Sequence, residues 1–202
     1  MDERDLIIPA LDDDFTAEKK LGFVLGARGK VRVYKVHDEE DIAFLKNDYG
    51  AEAVMLDRKF FDGPKIVAKY AKKAEKAGAD IITVHALGDV DMMKAAVGNH
   101  ARVVAVTVLT FHDEYRAEVL FGRSVNAQVL HLAQRAKEAG ITAVVCSPKE
   151  VAMLRKDPET RDLEIYAVGI REQGGDTSWG QARTGTPWEA MEAGANHLIV
   201  GQ

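Results

Sequence analysis

Short apolar runs rich in Val and Ile recur along the chain, at positions 6–11, 31–36, 53–56, 81–85, 103–109, 143–146, 165–168 and 197–200. Most of them do not alternate polar with apolar residues, which is the pattern of strands covered on both faces. Between them, apolar positions return every three or four residues over 16–26, 39–49, 65–77, 90–97, 124–139, 149–156 and 187–193, which predicts helices. The punctuation agrees. Pro64, Pro148 and Pro187 stand where helices open, and Ala-Gly pairs at 77–78, 139–140 and 193–194 stand where helices stop before a strand.

Eight alternating units predict one α/β domain over residues 1–202, a compact (β/α)8 TIM barrel. An eighth helix is not expected within these residues, because Gly201-Gln202 follows directly on the eighth strand. A doubly wound open sheet is the competing arrangement. It needs a glycine-rich turn after the first strand, where Asp12-Asp13-Asp14 stands instead. Two long stretches follow strand ends and read as loops: 111–123, and the Gly-, Gln- and Ser-containing 169–186, a candidate lid.

Composition narrows the function. Hydrophobic residues make up 47% and charged residues 29%, ordinary for a soluble globular protein. A net charge of −5 without a dense basic patch argues against a nucleic-acid partner. No apolar run is long enough to predict a membrane span, and the charged start Met1-Asp2-Glu3-Arg4-Asp5 does not read as a secretory signal. A cytoplasmic protein is expected. The single cysteine, Cys146, sits in an apolar run and reads as a core thiol.

The C-terminal ends of barrel strands converge on one mouth. Read in turn, those ends carry Asp12, Lys35, Asp57 with Lys59, His85, Thr110 with His112, Ser147 and Gln173. Alternation puts Asp57 and Lys59 on one face of the third strand. Asp62, in the following turn, is placed either beside Lys59 or toward a neighbouring subunit. Charges in such a cluster hold one another ionised, and a fixed ammonium can protonate or stabilise a carbanion. Two other readings use the same residues: a rim ion pair between Lys59 and Asp62 with Asp57 capping a turn, and a divalent-metal site, against which the two lysines and the lack of paired His or Cys ligands count.

With these motifs the chain resembles orotidine 5′-monophosphate decarboxylase and its superfamily over nearly its whole length. Ala10-Leu11-Asp12, Tyr34-Lys35-Val36, the Asp-x-Lys-x-x-Asp signature in Leu56 to Asp62, Thr83-Val84-His85-Ala86, Val168-Gly169-Ile170-Arg171 and Ile199-Val200-Gly201 match in order. The resemblance implies decarboxylation of the orotidine nucleotide to UMP in pyrimidine biosynthesis, with no cofactor and no metal. It implies Lys59 as proton donor to the ring carbon, Asp57 beside the leaving carboxylate, Lys35 extending the array, and Asp62 serving the partner's site in a homodimer. Asp12 would contact the ribose, and Gln173 and the Gly201 amide the phosphate; His85, Thr110 and Gln202 complete the expected binding set. Some positions depart from the family. Gln202 stands where an arginine is expected, Gly63-Pro64-Lys65-Ile66 replaces Ile-Pro-x-Thr, and Val168 replaces a common proline. Lys65 and Arg183 are candidates for the missing charge. Two alternatives remain: a magnesium-dependent sister enzyme acting on sugar phosphates, and a barrel that binds a nucleotide without turning it over.

Overall fold

The computed structural model describes residues 3–11, 16–98, 101–172 and 180–201. Eight strands form it: β1 (Ile7–Pro9), β2 (Val33–Val36), β3 (Ala53–Phe60), β4 (Ile81–His85), β5 (Arg102–Val106), β6 (Ala143–Cys146), β7 (Glu164–Ala167) and β8 (His197–Val200). Neighbours pair in parallel in the order β1-β8-β7-β6-β5-β4-β3-β2. The two ends of that order meet. Ala10 bridges Lys35, and the Leu11 amide donates to the Lys35 carbonyl at 2.9 Å, which closes the sheet into a TIM barrel.

The crossovers are α1 (Ala17–Ala27), α2 (Glu39–Ala43) running on as a π turn over Phe44–Asp48, α3 (Pro64–Lys76), α4 (Asp89–Ala96), α5 (Glu114–Phe121) and α6 (Val125–Glu138), α7 (Pro148–Lys156) and α8 (Pro187–Glu192). Pro64, Pro148 and Pro187 each open a helix. Proline has no N–H to lose there and its φ suits the first turn. Ser147 and Thr186 cap α7 and α8 with reciprocal Glu150 and Glu189 side chains.

Two apolar layers follow from the pleat. One parity, including Val33, Met55, Ile81, Val104, Val145 and Tyr166, fills the barrel interior. The other, including Val36, Leu56, Ile82, Val144 and Ile165, packs under the helices with residues such as Val67, Met93 and Leu132. Both faces are therefore apolar, and the strands read as unbroken runs. The interior parity continues upward into Lys35, Asp57 and Thr83, so the topmost interior layer of this side of the barrel is polar.

At the opposite end a polar group closes the barrel. Arg102 forms a two-armed pair with Glu164, whose Oε1 also accepts from Tyr166 at 3.1 Å and meets His197 Nε2 at 2.5 Å. His197 Nδ1 lies 2.7 Å from the Asp5 carbonyl, and its ring stacks on Tyr166 at 4.3 Å.

The strand positions 81–85, 143–146 and 197–200 are as read from the sequence. Two expectations are corrected. The stretch 111–123 contains helix α5, capped by Asp113 accepting from the Arg116 amide at 2.8 Å. Strand β3 runs past Leu56 to Phe60 through an irregular segment.

Candidate active site

The irregular segment of β3 builds the centre of the site. Leu56 pairs with Ile82 and Phe60 with Val84, so Asp57, Arg58 and Lys59 stand opposite Thr83 alone. Such a bulge re-aims side chains next to a site. Lys59 takes φ 47°, the left-handed region that a residue with a Cβ adopts at a cost.

Asp57 is the hub. Its Oδ2 lies 2.8 Å from Lys59 Nζ, 3.3 Å from Lys35 Nζ and 3.6 Å from His37 Nε2, and its Oδ1 accepts from the Thr83 hydroxyl at 2.8 Å. Burial alone would raise the Asp57 carboxyl. The His37 imidazole and the Lys59 and Lys35 ammonium groups outweigh it and hold the carboxyl far below the usual carboxylate range. The row reads cation, anion, cation, with Lys35 buried at the barrel wall and Lys59 about one-third exposed toward the mouth. Lys35 Nζ also lies 2.9 Å from His37 Nε2.

These groups face a pocket of about 340 Å³ in the barrel mouth. Met55, Val145 and Ile199 form its apolar floor, and Val108, Leu109 and Thr110 its far wall. Gly169, Arg171, Gln181 and Gly201 stand at its rim. The wall after β7 is tied by backbone: Gly185 donates to the Gly169 carbonyl at 3.1 Å and Arg171 to the Gly185 carbonyl at 2.9 Å. Gly169 has φ 80°, and a Cβ there would stand 2.8 Å from the Arg183 carbonyl oxygen, so a side chain is excluded by contact as well as by conformation.

The sequence-predicted residues divide. Lys35, Asp57, Lys59, Thr110 and Gly201 come together around the pocket. Asp62 lies exposed outside it, accepts from the Gly63 amide at 2.6 Å, and forms no ion pair with Lys59 among the described residues. The rim pair of Lys59 with Asp62 is thus replaced by the pair with Asp57. His85 is drawn into a turn, where Nδ1 accepts from the Leu87 amide at 3.3 Å. Burial, helped by the charges of Lys59 and His112, pushes its imidazole down to about 4. Ser147 is spent on capping α7. Asp12, Gln173 and Gln202 lie outside the described residues, as does 173–179 of the candidate lid.

Arg183 is not the substitute charge. It is buried, with Nε 3.0 Å from Glu150 Oε1, Nη2 donating to the Val108 carbonyl at 2.9 Å, and Nη1 donating to the Leu109 and His112 carbonyls. It latches the segment before α8 to the segment after β5. Burial pushes Glu150 up, opposed by Arg183. Lys65 is exposed on α3 and does not line the pocket.

Sequence reasoning passed over His37, Thr83, Arg171 and Gln181. The first two had a signal: His37 is two residues past Lys35, and Thr83 continues the interior parity of Ile81. Gln181 had none, since its buried Oε1, without a hydrogen-bond partner among the described residues, is visible only in three dimensions. Arg171 lay inside a quoted motif without a role.

The description of the orotidine 5′-phosphate decarboxylase / HUMPS family matches residues 19–202. The chain belongs to this family. Orotidine 5′-phosphate decarboxylase of Streptococcus suis strain 05ZYH33 is 36% identical over 195 residues, 94% of this chain and 81% of that one. The enzyme of that name from Syntrophotalea carbinolica is 36% identical over 220 residues, 100% of this chain and 88% of that one. Among solved structures, orotidine 5′-phosphate decarboxylase from Lactobacillus acidophilus superposes with a TM-score of 0.74 at 30% identity, covering 97% of this chain and 89% of that one. Asp57 and Lys59 of the Asp-x-Lys-x-x-Asp pattern thus meet on the β3 bulge in the mouth of a TIM barrel, with Asp62 just past the end of the strand.

Proposed function

We propose that the chain is a carboxy-lyase that converts orotidine 5′-monophosphate to UMP and carbon dioxide in pyrimidine biosynthesis, with Lys59 as proton donor. The observation that carries the reading is the fixed row Lys35–Asp57–Lys59, at 3.3 and 2.8 Å, on one wall of the mouth pocket.

In this reading the bond from the pyrimidine ring carbon to its carboxylate breaks and its electron pair stays on the ring. Lys59 passes an ammonium proton to that carbon, and solvent reprotonates the amine. Asp57, held ionised, keeps the Lys59 ammonium aimed. The two ammonium groups stand at their positions before the reaction begins, so charge developing on the ring meets a preorganised field. The apolar floor excludes water and strengthens that field. At the rim, the Arg171 guanidinium, the Gln181 amide and the Gly201 amide are the groups placed to take the phosphate. Arg171 supplies the charge that glutamine at 202 lacks. Binding energy collected on the phosphate is then available to close the site and orient the base.

Asp62 is exposed in its own chain, and in this reading it completes the site of a second copy. A cytoplasmic homodimer with shared sites follows. Mixing Lys59→Ala with Asp62→Ala subunits tests it: one repaired site per mixed dimer restores about a quarter of wild-type activity if sites are shared, and nothing if they are not. The reading itself is tested by product: purified protein and the orotidine nucleotide yield UMP and carbon dioxide in equal amounts. Absence of UMP, with the fold intact, refutes it.

A further inference from the structure

We propose that the Thr83 hydroxyl is the positioning group that sets the distance between Asp57 and Lys59. The inference rests on the reading of Lys59 as proton donor, but its geometry stands independently.

Three residues of β3, Asp57 to Lys59, face one residue of β4, Thr83. The extra backbone cannot continue the ladder, and its polar groups need other partners. The Lys59 amide finds one in Thr83 Oγ1 at 2.8 Å. That hydroxyl donates in turn to Asp57 Oδ1 at 2.8 Å. The other carboxylate oxygen, Oδ2, holds Lys59 Nζ at 2.8 Å. The three bonds close a ring that leaves the Lys59 main chain, passes through Thr83 and Asp57, and returns to the Lys59 side chain.

The ring does two things. It anchors the oxygen of Asp57 that does not face Lys59, so the carboxylate cannot swing about its Cβ–Cγ bond and carry Lys59 Nζ with it. It also satisfies the amide of a residue held at φ 47°, a conformation a lysine does not adopt unaided. Thr83 is fully buried, and its β-branch suits an interior strand position. A hydroxyl has one proton and accepts through lone pairs, so it serves as acceptor to one group and donor to the other at once. Valine has the same shape and does neither. Serine does both.

The test is a comparison of Thr83→Val with Thr83→Ser, both in the full-length protein, by steady-state kinetics on orotidine 5′-monophosphate and by crystal structure. Misplacing a reacting group by about 1 Å costs on the order of 100-fold, so kcat falls about 10- to 100-fold in Thr83→Val while KM moves by less than about threefold. Thr83→Ser recovers to within about threefold. In the Thr83→Val structure, Asp57 rotates and Lys59 Nζ leaves hydrogen-bonding range of Oδ2. A role confined to stability would lower the melting temperature of both variants without splitting kcat from KM and without rescue by serine. Unchanged kcat in Thr83→Val overturns the inference. If the wild-type protein does not turn over the nucleotide, the proposed function fails, and the crystal structure alone decides this inference: an unmoved Asp57–Lys59 pair in Thr83→Val refutes it.

Discussion

Lys59 and Asp57 are two residues apart on one strand, and their charged atoms meet at 2.8 Å within the bulge between Leu56 and Phe60. The contact ties the proposed proton donor to a carboxylate anchored in the barrel wall. Replacing Lys59 by Ala removes the proton donor and half of the cationic field, and turnover of orotidine 5′-monophosphate falls by about 1,000-fold or more. Asp57→Ala removes the anion that the two ammonium groups share and has an effect of similar size. Lys59→Ala keeps wild-type far-UV circular dichroism, since the Lys59 side chain stands about one-third exposed at the mouth.

Gln181 turns a buried amide oxygen, without a partner among the described residues, toward the mouth. Buried polar groups are paired in the working state of a protein, and here a donor of the bound nucleotide, a hydroxyl or ring N–H, supplies the partner for this oxygen, leaving the amide NH2 to face the phosphate. Gln181→Ala therefore raises KM about tenfold with a smaller change in kcat, a split read directly from saturation curves.

Much of this arrangement could be read in the residues, and the remainder has physical causes. Strands such as 81–85 and 143–146 were legible because helices and interior cover both faces and leave no polar position to blur the ends. Helix α5 was not, because its Tyr115, Val119 and Leu120 point outward and draw no apolar stripe toward the core. The shared face of Asp57 and Lys59 was inferred from regular alternation. The contact is present, but it lies on a bulge with a positive φ at Lys59 rather than on a regular strand. Arg183 was misread as a pocket charge because its partner, Glu150, lies 33 residues away, beyond the reach of local pattern.

That Arg183–Glu150 pair is buried, and removing one partner strands the other. Arg183→Met leaves a buried carboxylate without its guanidinium and takes the Arg183 donor from the Val108 and His112 carbonyls, while Leu109 keeps the His112 amide, and destabilises the fold by about 3–5 kcal/mol. Arg183→Lys does not rescue it, since an ammonium cannot reproduce the fork that spans Glu150 and the carbonyls. Replacing both partners by apolar residues of similar volume costs less than the single change, and urea denaturation of the three variants orders them.

Gly169 lines the pocket at φ 80° with the Arg183 carbonyl in the way of any Cβ. Gly169→Ala costs about 1–3 kcal/mol, a fall in Tm of roughly 2–12 °C in a chain of this size. Calorimetry reads it.

Acid sensitivity has two windows. His85, with an ordinary value of 6.5, is pushed down to about 4 by burial, with Lys59 and His112 adding. Between those values the unfolded chain binds more protons than the folded one at this site, so stability falls as pH drops from 6.5 toward 4. Below that, Glu164 takes over. Burial would raise its carboxyl, but the His197 and Arg102 hydrogen bonds hold it at about 2, so its contribution is present above 4.5 and is lost as pH falls from 4.5 toward 2. His85→Asn keeps an acceptor for the Leu87 amide and flattens the first window. Glu164→Gln flattens the second. Urea midpoints measured across the acid range separate the two.

The central claim is that fixed side-chain charges, Lys59 foremost, carry the decarboxylation. The measurement that tests it most directly is the initial rate of absorbance loss of orotidine 5′-monophosphate with wild-type and Lys59→Ala protein, each with and without a chelator. The account predicts wild-type turnover unaffected by the chelator and loss of that turnover in Lys59→Ala. Turnover that the chelator abolishes, or that survives in Lys59→Ala, would contradict it.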